Sequence, residues 1–199
     1  MENIKVLFRN EWFYYFYSKI KTSVQKYIDT TFEANVIINN LWLGALSSSC
    51  NREKLKEHNI ETIVSAIYGS TASYPFDFDY ERAPLLDIEN EDIIQEFYKI
   101  LPIIRENLNS GKGVLVHCMY GKSRSCSIVA AYLIQYHNMS SEDALTYILS
   151  KRPQIAPNSG YIEQLKKFEL QTRNNQLVSE NRALQETNKQ ILNDYKKNV

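Results

Sequence analysis

Cys118 and Arg124 stand with five residues between them in the segment Val116-His-Cys-Met-Tyr-Gly-Lys-Ser-Arg-Ser125. An apolar strand pattern, Gly113–Val116, leads into the cysteine. From Ser125 onward Ile128, Val129, Tyr132, Leu133 and Tyr136 recur at helical period. A strand-loop-helix junction of this kind aims successive backbone N–H groups and the positive end of the helix at one point, where an oxyanion binds. The same field favours thiolate over thiol; cysteines in such settings fall to a pKa of roughly 3.5–7.5. A thiolate is a competent nucleophile toward phosphorus. Arg124 supplies a permanently charged planar fork that holds two phosphoryl oxygens.

The remaining loop residues take parts in the same chemistry. Met119, Tyr120, Gly121, Lys122 and Ser123 present their backbone amides to the anion together with Arg124. The hydroxyl of Ser125 is placed to hydrogen-bond the sulfur and help it leave. His117 orients the loop; His58 and His137 have no metal-ligand spacing with it, so no metal site is predicted. Lys122 reads as a solvated rim lysine, with contact to a second phosphate as the alternative. A buried, inert cysteine is the competing reading of Cys118, disfavoured by the register of Gly121 and Arg124. Cys126, on the following helix, reads as a small core residue, and Cys50 has no assigned part.

These residues need a scaffold, and the pattern along the chain supplies one. Val36–Leu46 reads as two short strands around the Asn39-Asn40 turn, Asn51–His58 as a polar helix, and Glu61–Tyr68 as a buried strand. Pro75–Tyr80 is a loop or edge, and Glu81–Leu86 a short strand ending at Asp87. Ile93, Ile94, Phe97, Ile100, Leu101 and Ile104 form a helix stripe, with Asn90 and Asp92 as candidate caps and Asn109-Ser-Gly111 as the stop. Ser140-Ser-Glu-Asp143 has the layout of a capping box, Pro153 closes that helix, and Pro157-Asn158-Ser-Gly160 opens another whose face includes Ile162, Leu165 and Phe168. Alternating strands and helices predict an α/β fold with a central, mostly parallel β-sheet flanked by helices.

The form His-Cys-x-x-Gly-x-Ser-Arg-Ser resembles the dual-specificity branch of the cysteine-based protein phosphatases. Leu41-Trp-Leu-Gly44 is similar to that family's early strand, Ala131-Tyr-Leu133 to its helix after the loop, and Arg152-Pro through Gln164-Leu165 to its closing segment, with Tyr161 where the family usually has Phe. The likeness is collinear from about Asn35 to Glu169. It implies a cysteine-dependent phosphatase fold and hydrolysis of phosphotyrosine and phosphoserine/phosphothreonine monoesters through a cysteinyl-phosphate intermediate, without cofactor or metal. It also implies a general acid on a loop after a strand, a place Asp87 occupies, with Asp92 as the competitor better suited to capping a helix. Two alternatives stay open: a phosphoinositide or RNA 5′-phosphatase using the same loop, and a pseudophosphatase that binds phosphate without turning it over.

Composition bounds the rest. The 199 residues carry 23 Lys+Arg against 23 Asp+Glu, which argues against a generic polyanion binder, so no nucleic-acid partner is expected and a phosphorylated protein is. Hydrophobic residues at 44% suffice for a core. Three unevenly spaced cysteines fit a reducing compartment, cytoplasmic or nuclear, and no apolar stretch is long enough for a transmembrane segment.

The chain divides by pattern into residues 1–33, an aromatic and basic helical extension; 34–169, the catalytic domain; and 170–199, a polar helix. In the first, Phe13, Phe16, Tyr17, Ile20, Val24, Tyr27 and Ile28 recur near helical period among Arg9, Lys19, Lys21 and Lys26. That predicts a helix docking its aromatic stripe on the domain, with a membrane-surface or substrate-recruiting helix as the alternative. In the last, Leu170, Leu177, Leu184 and Ile191 are spaced by sevens, with Asn174, Asn181, Asn188 and Tyr195 four positions later. The stripe resembles a coiled-coil seam for a homodimer through 170–199, weakened by its asparagines, with a solvated single helix as the other reading.

Overall fold

The computed structural model describes residues 2–197, with side chains from 11 to 190 and at 193. The elements run α1 (Glu2–Ile28), β1 (Ala34–Ile38), β2 (Leu41–Ala45), α2 (Leu46–Ser49), α3 (Arg52–Glu57), β3 (Ile60–Ser65), β4 (Asp79–Arg82), α4 (Ile94–Asn109), β5 (Gly113–Cys118), α5 (Arg124–His137), α6 (Ser141–Lys151) and α7 (Ser159–Lys197). The five strands form one sheet in the order β1-β2-β5-β3-β4. Only the β1–β2 pair is antiparallel; Asn40 makes its turn with φ of 63°, a left-handed conformation that asparagine tolerates better than most residues.

β5 is the middle strand and every residue from Gly113 to Cys118 is buried, as its unbroken apolar run requires of a strand covered on both faces. One face carries the main core, where Val114 and Val116 meet Phe97, Ile104, Val129, Leu133 and Phe168 from the helices. The other holds a smaller cluster of Leu55, Ile60, Ile63, Phe78 and Leu115. Each such aliphatic side chain taken out of water contributes about 1.5–3 kcal/mol. α5 packs against β5 and against α4, α6 and α7, so the helix that follows the loop is clamped on several sides.

Local signals and structure agree closely at the caps of α3 and α6. Asn51 Oδ1 accepts from the Lys54 N–H and Ser140 Oγ from the Asp143 N–H, both at 3.0 Å. They part at three places. The strand expected at Glu81–Leu86 runs instead from Asp79 to Arg82, because β4 pairs with β3 only through Arg82; beyond it Ala83 N–H bonds to Ser65 O and Tyr68 N–H to Leu85 O irregularly. Asn90 does not cap α4: the Ile93 N–H donates to Gln164 Oε1 of α7, and Asp92 Oδ1 takes the Ile94 N–H. On α7 it is Tyr161, fully buried, that faces the core, while Ile162 is half-buried.

The two ends are helical. α7 continues without a break past Glu169 to Lys197, with Leu170, Leu177 and Leu184 exposed; the side chains of Ile191 and Tyr195 lie outside the described residues. α1 reverses the expectation for its stripe. It docks through Ser18, Thr22 and Gln25, all buried, whereas Phe13, Phe16, Tyr17, Ile20, Val24, Tyr27 and Ile28 are exposed. The reason is chemical pairing: Thr22 Oγ1 lies 3.0 Å from Thr71 Oγ1 and accepts the Thr71 N–H at 3.1 Å, contacts an apolar stripe cannot make. Among the described residues no helix is long and apolar enough to cross a membrane.

Candidate active site

Cys118 ends the central strand and Arg124 begins α5, so the loop between them turns back over the carboxyl end of the sheet. Gly121 makes that turn possible. Its φ is 64°, and a Cβ there would stand 2.5 Å from the Gly44 carbonyl oxygen and 2.6 Å from Arg152 Nη2. The loop is held from outside by Leu46 N–H on Met119 O and Ala156 N–H on Lys122 O. Arg152 holds it from beneath. Its fully buried guanidinium donates from Nε to Gly121 O at 2.9 Å, from Nη1 to Asn35 Oδ1 at 2.7 Å, and from Nη2 to Glu33 Oε1 at 3.1 Å.

Cys118 is 1% exposed. Burial alone would raise its pKa, but the Arg124 charge, the Ser125 hydroxyl and the backbone N–H groups of Ser125 and Lys122 outweigh it, leaving the thiol below its ordinary value. Ser125 Oγ donates to the sulfur at 3.2 Å. Cys126 shows the contrast: it is equally buried and lacks those donors, so burial, reinforced by the neighbouring Cys118 charge, pushes its thiol far up and leaves it inert. His117, buried beside them, is depressed to about 4, first by burial and then by the Arg124 charge; it is neutral near pH 7, with Nδ1 at 3.4 Å from Cys118 O.

Arg124 is 9% exposed and directs Nη1 to the Leu85 carbonyl at 3.3 Å. Its Nε is buried without a hydrogen-bond partner; the Asp87 carboxylate comes within 3.5 Å as an ion pair, not aligned for a hydrogen bond. Asp87 stands on the loop after β4, where Ser123 Oγ donates to its Oδ1 at 2.6 Å and Asn158 Nδ2 at 3.0 Å. Asp92, by contrast, accepts the Ile94 N–H at the start of α4. Tyr161 secures the same loop by donating its hydroxyl to the Leu86 carbonyl. Lys122 and Tyr120 are exposed at the rim, and Met119 is buried.

A cleft of about 300 Å³ over this loop is lined by Asp87, Met119, Tyr120 and Arg124, together with Leu85, Leu86, Tyr68, Tyr14, Tyr17 and Ser18. Cys118, Arg124, Asp87 and Ser125 thus converge from one strand end, one helix start and one distant loop. Ser123 was expected to contribute only its backbone amide, not the hydroxyl that meets Asp87, and no part in the site was expected of Asn158, Arg152, Tyr14 or Tyr17 individually. Asn158 carried a helix-start signal, and both it and Arg152 fell in the stretch that resembles the family's closing segment, with no part in the site assigned to either. Among the described residues no group of three or more His, Cys, Asp or Glu side chains is placed to hold a metal.

Residues 41–171 match the family model described as dual specificity phosphatase, catalytic domain. The chain is 36% identical over 135 residues to dual specificity protein phosphatase 1 of Arabidopsis thaliana, covering 68% of each. It is 34% identical over 145 residues to dual specificity protein phosphatase 1B of the same plant, covering 73% of this chain and 87% of that one. Among solved structures, the human tyrosine phosphatase-like serine/threonine/tyrosine-interacting protein superposes with a TM-score of 0.66 at 30% identity, over 70% of this chain and 97% of the other. With residues 41–171 matched by that model and relatives of 34–36% identity covered over two thirds or more of their length, the chain belongs to the dual-specificity protein phosphatase family.

Proposed function

We propose that Cys118, Arg124, Asp87 and Ser125 carry the dual-specificity protein phosphatase reaction of this chain. The Cys118 thiolate attacks the phosphorus of a phosphotyrosine, phosphoserine or phosphothreonine monoester. Arg124 and the amides of Met119, Tyr120, Gly121, Lys122 and Ser123 hold the phosphoryl oxygens as charge builds on them. Asp87, protonated, gives its proton to the departing oxygen, and a cysteinyl phosphate remains. Water then attacks that phosphorus while the Asp87 carboxylate accepts its proton. The P–S bond breaks, inorganic phosphate leaves, and the Ser125 hydroxyl stabilises the released thiolate.

One observation carries this reading: a buried guanidinium with an unpartnered Nε beside a thiol whose pKa is lowered. A buried, unpaired donor of that kind costs free energy unless an anion completes it. The decisive measurement compares wild type with Cys118→Ser. The variant is expected to lose turnover of an aryl phosphate while still binding inorganic phosphate, and unchanged hydrolysis would overturn the assignment.

The proposal takes phosphorylated proteins as substrates and a reducing, cytoplasmic setting, supported by three unpaired thiols. Self-association through residues 170–199 belongs to the same reading, since Leu170, Leu177 and Leu184 stand exposed along α7. Sedimentation of wild type against Leu177→Glu/Leu184→Glu tests it; equal mass for both would remove it.

A further inference from the structure

The cleft over the cysteine loop is closed on one side by α1, which lies outside residues 41–171. Its placement is specified by the contacts beneath it. Besides the Thr22–Thr71 pair, Ser23 Oγ reaches Thr71 Oγ1 at 3.3 Å. Tyr15 packs edge-on to Tyr68 with ring centroids 5.9 Å apart, and a Cβ on Gly69 would collide with the Tyr15 ring at 2.8 Å. At the rim, Lys21 Nζ sits 5.0 Å above the Tyr120 ring and also donates to the Tyr17 hydroxyl at 3.4 Å. The helix is therefore latched on both flanks of the cleft, to the loop after β3 and to the cysteine loop itself.

This latching presents Tyr14 and Tyr17 toward the same space as Arg124 and Asp87, in a cleft they share with Met119, Leu86, Tyr68 and Tyr120. Tyr14 and Tyr17 are 48% and 43% exposed, so each has ring surface free for a ligand. A wall of this composition discriminates by what joins the phosphate to the substrate backbone. A phenyl spacer placed among these side chains meets aromatic and apolar surface and gains stacking beyond simple burial. The short aliphatic stem of phosphoserine or phosphothreonine presents no ring.

We infer that α1 is a working part of the catalytic cleft and that its Tyr14 and Tyr17 rings bias the enzyme toward aryl phosphates, phosphotyrosine in protein substrates, over alkyl phosphates. The inference rests on the site assignment above and adds the residues that set the preference. Substrate binds at Arg124 and the loop amides in either case; the α1 rings add affinity only for the aryl ester. They touch substrate without taking part in proton or phosphoryl transfer.

The test uses the full chain and two peptides identical except for phosphotyrosine or phosphothreonine, read as the ratio of their kcat/KM values. Tyr14→Ala/Tyr17→Ala is expected to lower the phosphotyrosine-to-phosphothreonine ratio about tenfold, the size expected for loss of aromatic stacking. Tyr14→Phe/Tyr17→Phe, which keeps both rings, is expected to keep the ratio within twofold. A ratio unchanged in the alanine variant, or rates for both peptides falling in parallel, would overturn the inference while leaving the Cys118 chemistry standing. A ratio lost in the phenylalanine variant would also overturn it, because the hydroxyls rather than the rings would then be responsible. Failure of the site assignment looks different: wild type would match Cys118→Ser on both peptides.

Discussion

Asn158 and Asp87, 71 positions apart, meet at 3.0 Å from Nδ2 to Oδ1, and the same Asn158 side chain caps α7 by accepting the Tyr161 N–H at 2.9 Å. One amide therefore ties the start of the last helix to the loop that presents the proposed acid. Ser123 completes the arrangement, since its hydroxyl donates to Asp87 and accepts the Asn158 N–H at 3.2 Å. The carboxylate is aimed by groups from two separate elements, not by its own loop.

Removing that aim should show in the leaving-group dependence. Asn158→Ala is expected to lower kcat about tenfold for a phosphopeptide, whose departing oxygen needs a proton, and much less for a nitrophenyl ester. Asp87→Asn is expected to lose about 10²–10⁴-fold on the same peptide, the usual contribution of a positioned acid. Equal losses on both esters for Asn158→Ala would mean that the residue supports the fold and not the acid.

The Ser125–Cys118 hydrogen bond of 3.2 Å stabilises the thiolate, so deleting it moves the thiol pKa upward. In Ser125→Ala the pH profile of iodoacetamide alkylation, which follows the thiolate, should shift to higher pH. The acidic limb of kcat/KM should move the same way. A profile that does not move would show that Arg124 and the backbone amides suffice.

His117 couples the buried loop to stability. Its folded-state pKa, about 4, lies below the 6.5 of an unperturbed histidine. Between those values the unfolded chain binds a proton that the folded chain does not, so stability is present above pH 6.5 and is lost as pH falls toward 4. At pH 5 the loss from this one residue is about 2 kcal/mol at the usual 1.36 kcal/mol per pKa unit. Urea unfolding of wild type and His117→Asn at pH 7 and pH 5 checks it: the variant should lose less stability between the two. A fully buried imidazole that titrates normally by NMR would contradict the prediction.

Arg152 is a stability residue placed beneath the active loop. Arg152→Ala leaves the buried carbonyl of Gly121 without its donor, at about 1–3 kcal/mol, and the half-buried side chain of Asn35 without its own. Arg152→Lys keeps the charge but not the fork, and is expected to recover only part of the loss. Urea unfolding gives the stability change. Binding of inorganic phosphate, weakened in both variants, would show that the loop relaxes with it.

What was readable from the chain alone is what local rules determine. The strand before Cys118, the helix after it, the five-residue spacing to Arg124 and the Ser140 and Asn51 caps each involve neighbours within a few positions. Asp87 was singled out by the family resemblance, which asks for an acid on a loop after a strand, although that strand ends at Arg82 and not beside it. Tertiary packing alone decided the partners of those residues. Gln164 took the Ile93 N–H just before α4, Arg152 reached Gly121 across 31 positions, and Asn158 found Asp87 across 71. No periodicity encodes such pairings, because each depends on where two elements come to rest in space. α1 makes the point most sharply. Its apolar stripe predicted a buried aromatic face, yet Ser18 and Thr22 are buried instead, since the loop at Thr71 offers hydrogen bonds that the Thr22 hydroxyl makes and apolar side chains cannot.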